Sequence, residues 1–114
     1  MARILQIGYY YGLIDARRIM LEQHGYEVVS ALGNDQGISL ANVGKFDVIV
    51  VGFSTSHSTR DKMVRWLKQH VPLTPVVVLL AHDSERFLDA DCETLSENPE
   101  VWLQAVRQTC TRKS

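Results

Sequence analysis

Two short apolar runs constrain this chain more than any other feature: residues 46–51 (Phe-Asp-Val-Ile-Val-Val) and residues 75–80 (Pro-Val-Val-Val-Leu-Leu). Both are rich in β-branched residues, neither alternates with polar ones, and they stop at Gly52 and near Ala81. A strand with one wet face alternates; a strand covered on both faces has no reason to. The runs therefore predict central strands of a parallel sheet held between two layers of helices. Ile4-Leu5-Gln6-Ile7 before Gly8 reads as a third such strand, and residues 26–30 as a shorter, more exposed one.

Helical signals fill the gaps. Residues 13–24 offer Ile14, Arg17, Arg18, Met20 and Leu21, with Gly25 placed to stop the helix. Asn34 or Asp35 can cap a second helix running to about Val43, which Gly44 ends. Ser58 or Thr59 can cap a third, where Met63, Val64, Leu67 and Val71 recur at near-helical spacing until Pro72 closes it. Asn98-Pro99-Glu100 opens a last helix with Trp102, Ala105, Val106 and Thr109 on one face. Between the fourth strand and this helix there is room for a short helical piece and a weak strand near residues 92–95. Strict alternation of this kind predicts a single α/β domain over residues 1–114. Its sheet is doubly wound, five-stranded, parallel and flavodoxin-like, in the order 2-1-3-4-5 that right-handed crossovers favour.

Charge and composition exclude several classes. A net charge of −1 gives no electrostatic basis for direct nucleic-acid binding, and the basic residues Arg107, Arg112 and Lys113 read as a solvated helix end. The only cysteines, Cys92 and Cys110, form no C-x-x-C pair and point to a reduced, cytoplasmic setting. No stretch approaches the roughly 20 apolar residues that span a bilayer, and the amino terminus carries no signal-peptide core, so no membrane is expected. His24, His57, His70 and His82 are scattered over separate elements; only His57 and His82 could meet, and neither a metal nor a cofactor is expected.

Several stretches resemble the receiver domain of bacterial response regulators. RILQIG followed by a helix and HGYEVVSAL resembles that family's first strand, first helix and second strand. KFDVIVVGF is similar to its third strand, TPVVVLLAH to its fourth, and ADCETLSENPEVWLQAVR to its fifth strand and last helix. The family's chemistry implies an acidic pair after the first strand and a phosphoacceptor Asp ending the third, which together hold Mg²⁺. It further implies a Thr or Ser ending the fourth strand and a Lys near the fifth. By that resemblance the acidic pair falls on Gly8 and Tyr9, the acceptor on Gly52, the Thr/Ser on Leu80, and the Lys on Glu97 or, with another gap, Ser96. Acceptor, metal ligands, switch residue and cation are all absent. Asp47 starts its strand, at the wrong end of the sheet, and Asp15 lies within the first helix, so neither replaces the acceptor. A second departure is the fourth helix, which is shortened because only residues 83–89 separate His82 from Ala90.

The resemblance thus implies a pseudo-receiver: a phosphorylation-independent interaction module of two-component or phosphorelay signalling, without catalysis. Its implied partner is a protein, a second copy of the chain included. Doubly wound sheets gather ligands and partners at the carboxyl ends of their strands. There the sequence places Tyr9, Tyr10, Tyr11, Phe53, Ser54, His57 and His82. The tyrosines could form a recognition patch, or one ring could pack over the first helix with the others lying on the surface. Ser54, Ser56, His57, His82 and Asp83 invite a nucleophile-and-base reading, but no G-x-S-x-G surrounds the serines, and turn or cap roles suit them better. Gly8-x-x-x-Gly12 is no Walker loop, yet a helix start can hold an anion, so a small-molecule or nucleotide sensor using the vacated pocket is the alternative. Trp102 reads as core, and Trp66 marks a contact surface if it is partly exposed.

Overall fold

The computed structural model describes residues 1–113, with side chains through Thr111. Its elements run β1 (Arg3–Gly8), α1 (Tyr11–Gln23), β2 (Glu27–Leu32), α2 (Gly33–Val43), β3 (Val48–Val51), α3 (His57–His70), β4 (Val76–Leu80), β5 (Cys92–Leu95) and α4 (Pro99–Lys113). All strand pairs are parallel, in the order β2-β1-β3-β4-β5. The anticipated topology is the observed one.

The unbroken apolar runs are explained by two cores, one on each face. Alternate residues of the central strands, Leu5, Ile7, Ile49, Val51, Val76 and Val78, pack with Ala41 of α2 and Met63, Val64 and Leu67 of α3. The intervening ones, Ile4, Val48, Val50, Val77 and Leu79, pack with Leu21 of α1 and Trp102 and Val106 of α4. Register ties the strands together: Ile4 pairs with both Val28 and Val48, and Val50 pairs with Val77.

Helix ends depart from expectation in instructive ways. Gly25 adopts φ +88 after α1, and its N–H donates to the Glu22 carbonyl at 3.0 Å, a left-handed stop that glycine takes without strain. Neither Asn34 nor Asp35 caps α2. The helix begins at Gly33, directly after β2, and the Gln36 side chain instead accepts from the Leu32 N–H at 2.8 Å. Asn34 is used elsewhere, as described below. The cap of α3 is Ser56, not Ser58 or Thr59, and its Oγ accepts from the Thr59 N–H at 3.2 Å. Asp47 precedes β3, where its carboxylate accepts from the Arg3 N–H at 2.7 Å, at the amino end of the sheet.

The shortening between β4 and β5 goes to completion. Residues 81–91 form turns with no helix. In place of a helix, Phe87 is buried against the α2/α3 core, with its N–H donating to Glu93 Oε2 at 2.7 Å. One ring plugs what a fourth crossover helix would cover.

Candidate functional site

Strand ends converge at the carboxyl edge of the sheet, where Gly52 N–H donates to the Ile7 carbonyl at 2.8 Å and Ser96 N–H to the Leu80 carbonyl at 3.0 Å. Gly8 ends β1 there, and Gly52 follows β3 on the face covered by α1. Both glycines are crowded. A Cβ on Gly8 would collide with Ile14 Cγ1, and one on Gly52 would lie 2.5 Å from Arg17 Nη1 and 3.0 Å from Nη2. The absence of side chains at these two positions makes the space that Ile14 and Arg17 fill.

Arg17 is the most unusual residue of the edge. It lies on the stripe Ile14, Arg17, Leu21 of α1 and is 4% exposed. Neither Nη1 nor Nη2 has a hydrogen-bond partner among the described residues, and the Phe53 ring centroid stands 6.0 Å from its Cζ. Burial alone lowers the guanidinium from its ordinary range to about 10, since nothing nearby compensates the charge. It remains a cation at neutral pH.

A second buried arginine sits across the sheet in the opposite circumstance. Arg60, 2% exposed, reaches Glu85 with both terminal nitrogens, Nη1 to Oε1 at 3.2 Å and Nη2 to Oε2 at 2.5 Å. It also donates through Nε to the Thr55 carbonyl at 3.2 Å. Burial would raise the Glu85 carboxyl, but the Arg60 hydrogen bonds, the Ala81 N–H and the Arg60 charge outweigh it and hold the group below its usual range. The pair pins residues 81–85 to α3. Beside it, His57 stacks on Phe87 at 4.3 Å and bonds the Arg86 carbonyl at 2.7 Å.

The tyrosines separate. Tyr9 packs against the α2/α3 core, not over α1, and its hydroxyl donates to Asn34 Oδ1 at 2.7 Å. Asn34 Nδ2 in turn donates to the Thr59 carbonyl at 3.0 Å, linking β1, α2 and α3 and explaining why Asn34 does not cap its helix. Burial pushes the Tyr9 phenol above its ordinary value, partly offset by the Arg60 charge. Tyr10 and Tyr11 are 61% and 73% exposed.

The other anticipated positions scatter. Ser54 and Glu97 are exposed, Leu80 is buried in the α2/α3 core, and Phe53 is half-buried on the α1/α4 face. His82 pairs with Ser84 at 2.6 Å within one exposed turn, and His57 turns to Arg86 and Phe87, so the two histidines serve different partners. Ser56 is engaged in capping α3. Trp102 is core, while Trp66 is half-buried, stacked on His70 at 4.2 Å and lining a groove with Lys62, Arg65 and Lys68.

Mg²⁺, which the receiver resemblance implies, does not fit these residues. Divalent magnesium sites use carboxylates. Here Gly8, Tyr9 and Gly52 supply none, and a guanidinium stands over the two glycines. No group of three or more His, Cys, Asp or Glu able to hold a metal occurs among the described residues. No described helix is long and apolar enough to cross a membrane.

Sequence reasoning passed over Arg60 and Glu85, placed Arg17 on its helix without a role, and read Asn34 as a cap. For the arginines a signal was present: each interrupts an apolar helical stripe, Ile14-Arg17-Leu21 and Arg60-Met63-Val64-Leu67. A cation on a stripe that packs must be buried, and then its partner, or lack of one, becomes the question.

No protein-family model matches the chain, and no curated protein does. Solved structures match in shape over nearly its whole length. A CheY-like response regulator receiver domain protein from Methanospirillum hungatei superposes with TM-score 0.88 at 17% identity, covering 99% of this chain and 96% of its own. Chemotaxis response regulator CheY4 of Vibrio cholerae gives 0.84 at 22% identity, with 96% and 98% covered. Response regulator TrrA of Thermotoga maritima, solved in complex with Mg²⁺-BeF, gives 0.84 at 15% identity, with 96% and 99% covered. The fold of this chain is that of the CheY-like response regulator receiver domains.

Proposed function

We propose that this domain is a phosphorylation-independent, non-enzymatic protein-interaction module of bacterial signal transduction, built on a receiver fold whose phosphoryl chemistry has been lost. One observation carries the reading: the Arg17 guanidinium lies over Gly8 and Gly52, the two strand ends where the resemblance calls for carboxylates. Phosphoryl acceptance needs a nucleophilic oxygen and a bound divalent cation that neutralises developing charge. A fixed cation in their place repels the metal, and glycine offers no nucleophile. The buried Leu80 lacks the hydroxyl that would sense a phosphoryl group.

A protein partner is supported by a neighbour: TrrA of Thermotoga maritima has been solved in complex with the histidine kinase ThkA. On this chain the exposed rings of Tyr10 and Tyr11, at the start of α1, supply contact area of the kind that anchors interfaces. Tyr9 contributes less, being partly buried against the α2/α3 core with its hydroxyl engaged by Asn34. Backbone amide spectra test the reading. With acetyl phosphate already present, adding Mg²⁺ leaves them unchanged if it is right, whereas Mg²⁺-dependent shifts spreading from Gly52 to Leu80 would remove it.

A further inference from the structure

We propose that Arg17 forms an oxyanion-binding site at the ends of β1 and β3, closed in this structure by the ring of Phe53. The site would take a compact oxyanion, phosphate or carboxylate, whose geometry matches the guanidinium fork. It is independent of how a protein partner is engaged.

Three observations converge. First, a guanidinium buried to 4% exposure with both terminal nitrogens unpartnered is an arrangement that folding disfavours. The same molecule satisfies its other buried guanidinium fully, through Glu85. Second, the Arg17 nitrogens stand beside two glycines, which bring no side chain of their own to the fork. Third, α1 begins three residues after Gly8 with no side-chain cap and no acidic residue in its first turn. Its leading N–H groups and positive end favour an anion. Helical side chains run back toward the helix start, and the Arg17 Nη2 accordingly ends 3.7 Å from a Cβ built on Gly8. Fork and helix end therefore serve one strand end.

Phe53 completes the device. It follows Gly52 in the loop before α3 and is half-buried, with its ring centroid 6.0 Å from Arg17 Cζ. An aromatic face is a weak partner for a cation. An oxyanion is a strong one, and displaces the ring.

The test is a titration of inorganic phosphate at constant ionic strength, balanced with chloride, followed by backbone amide spectra and Tm. Wild type is compared with Arg17→Met, which suits the apolar stripe and keeps the fold, and with Phe53→Ala. The expected result is saturable movement of the Gly8, Gly12, Gly52 and Phe53 amides in wild type. Affinity falls at least about tenfold in Arg17→Met and rises in Phe53→Ala. A phosphoserine peptide run in parallel separates the sources. Saturation by free phosphate makes the dissolved ion sufficient, while binding of the peptide alone, equally dependent on Arg17, places the oxyanion on a protein side chain. No saturable response to either probe up to tens of millimolar, an equal response in Arg17→Met, or one reproduced by chloride would overturn the proposal.

Discussion

The guanidinium of Arg17 lies so close to Gly52 that a methyl group on that glycine would stand 2.5 Å from Nη1. Neither terminal nitrogen finds a hydrogen-bond partner among the described residues, so the fold carries a buried, uncompensated charge at the carboxyl edge, where doubly wound sheets gather ligands.

Replacing that charge should stabilise the domain. Arg17→Met keeps the side-chain stem and removes the desolvated group, with an expected gain of about 1–3 kcal/mol in urea unfolding. The pH dependence follows from sign. A base whose folded pKa drops to about 10 penalises the fold wherever the group is charged, which is everywhere below that value. The penalty relaxes only as pH rises from about 10 toward the unfolded value. The stability gap between variant and wild type should be flat from pH 6 to 9 and narrow above about 10. A gap absent at neutral pH would mean that Arg17 is paired in solution.

Gly52→Asp should not restore a metal site. The new carboxylate meets Arg17 first, and only the end of a flexible side chain must shift to admit it. The variant is expected to gain about 1 kcal/mol through a charge-assisted pair. The guanidinium would depress the carboxyl pKa, so this gain is present above the carboxyl's unfolded value and lost as pH falls through the folded one. Thermal unfolding with and without Mg²⁺ checks it; a rise in Tm on adding Mg²⁺ would show that the carboxylate binds metal instead.

Glu85 holds the β4–β5 turns in place. Glu85→Ala strands the Arg60 guanidinium in the core and should cost about 3–5 kcal/mol, whereas Arg60→Met with Glu85→Gln should recover most of it. Because the Glu85 carboxyl is held below its usual range, its contribution is present above the unfolded value and lost as pH falls through the folded one. Hydrogen exchange of residues 81–90 would report the loosening; equal protection in Glu85→Ala and wild type would contradict it.

Tyr9→Phe should cost about 1 kcal/mol, because Asn34 loses the hydroxyl that its carbonyl accepts from. The raised phenol predicts that Tyr9 resists ionisation in the fold, so its part of the stability is lost as pH rises past the unfolded phenol value near 10. Ultraviolet titration of wild type against Tyr9→Phe should show no difference in tyrosinate until unfolding. An early difference would mean that Tyr9 is wetter than its packing indicates.

The fold was legible because its strands are covered on both faces. Runs such as residues 76–80 can be built only into a sheet's middle, and Gly25 and Pro99 bracket helices by backbone rules alone. What stayed hidden were side chains whose partners lie far along the chain. Asn34 looks like a cap because caps are local, yet it bridges Tyr9 and Thr59 across 25 residues in either direction. Arg60 meets Glu85 and Phe87 over a turn that sequence reads as a helical remnant. Gly8 ends β1 and Gly52 follows β3, as the apolar runs indicate, but nothing local says that the space beside them belongs to an arginine from mid-helix. Tyr9, Tyr10 and Tyr11 read either as one patch or as one packed ring with two on the surface; the packed ring is Tyr9, and it lies against the α2/α3 core instead of over α1.

Mass spectrometry after incubation with Mg²⁺ and acetyl phosphate, beside an ordinary receiver as positive control, tests the central claim most directly. The account predicts an unchanged mass for this domain while the control gains one phosphoryl group. A labile adduct of one phosphoryl group on this chain would contradict it, revealing an acceptor that the edge around Arg17, Gly8 and Gly52 does not provide.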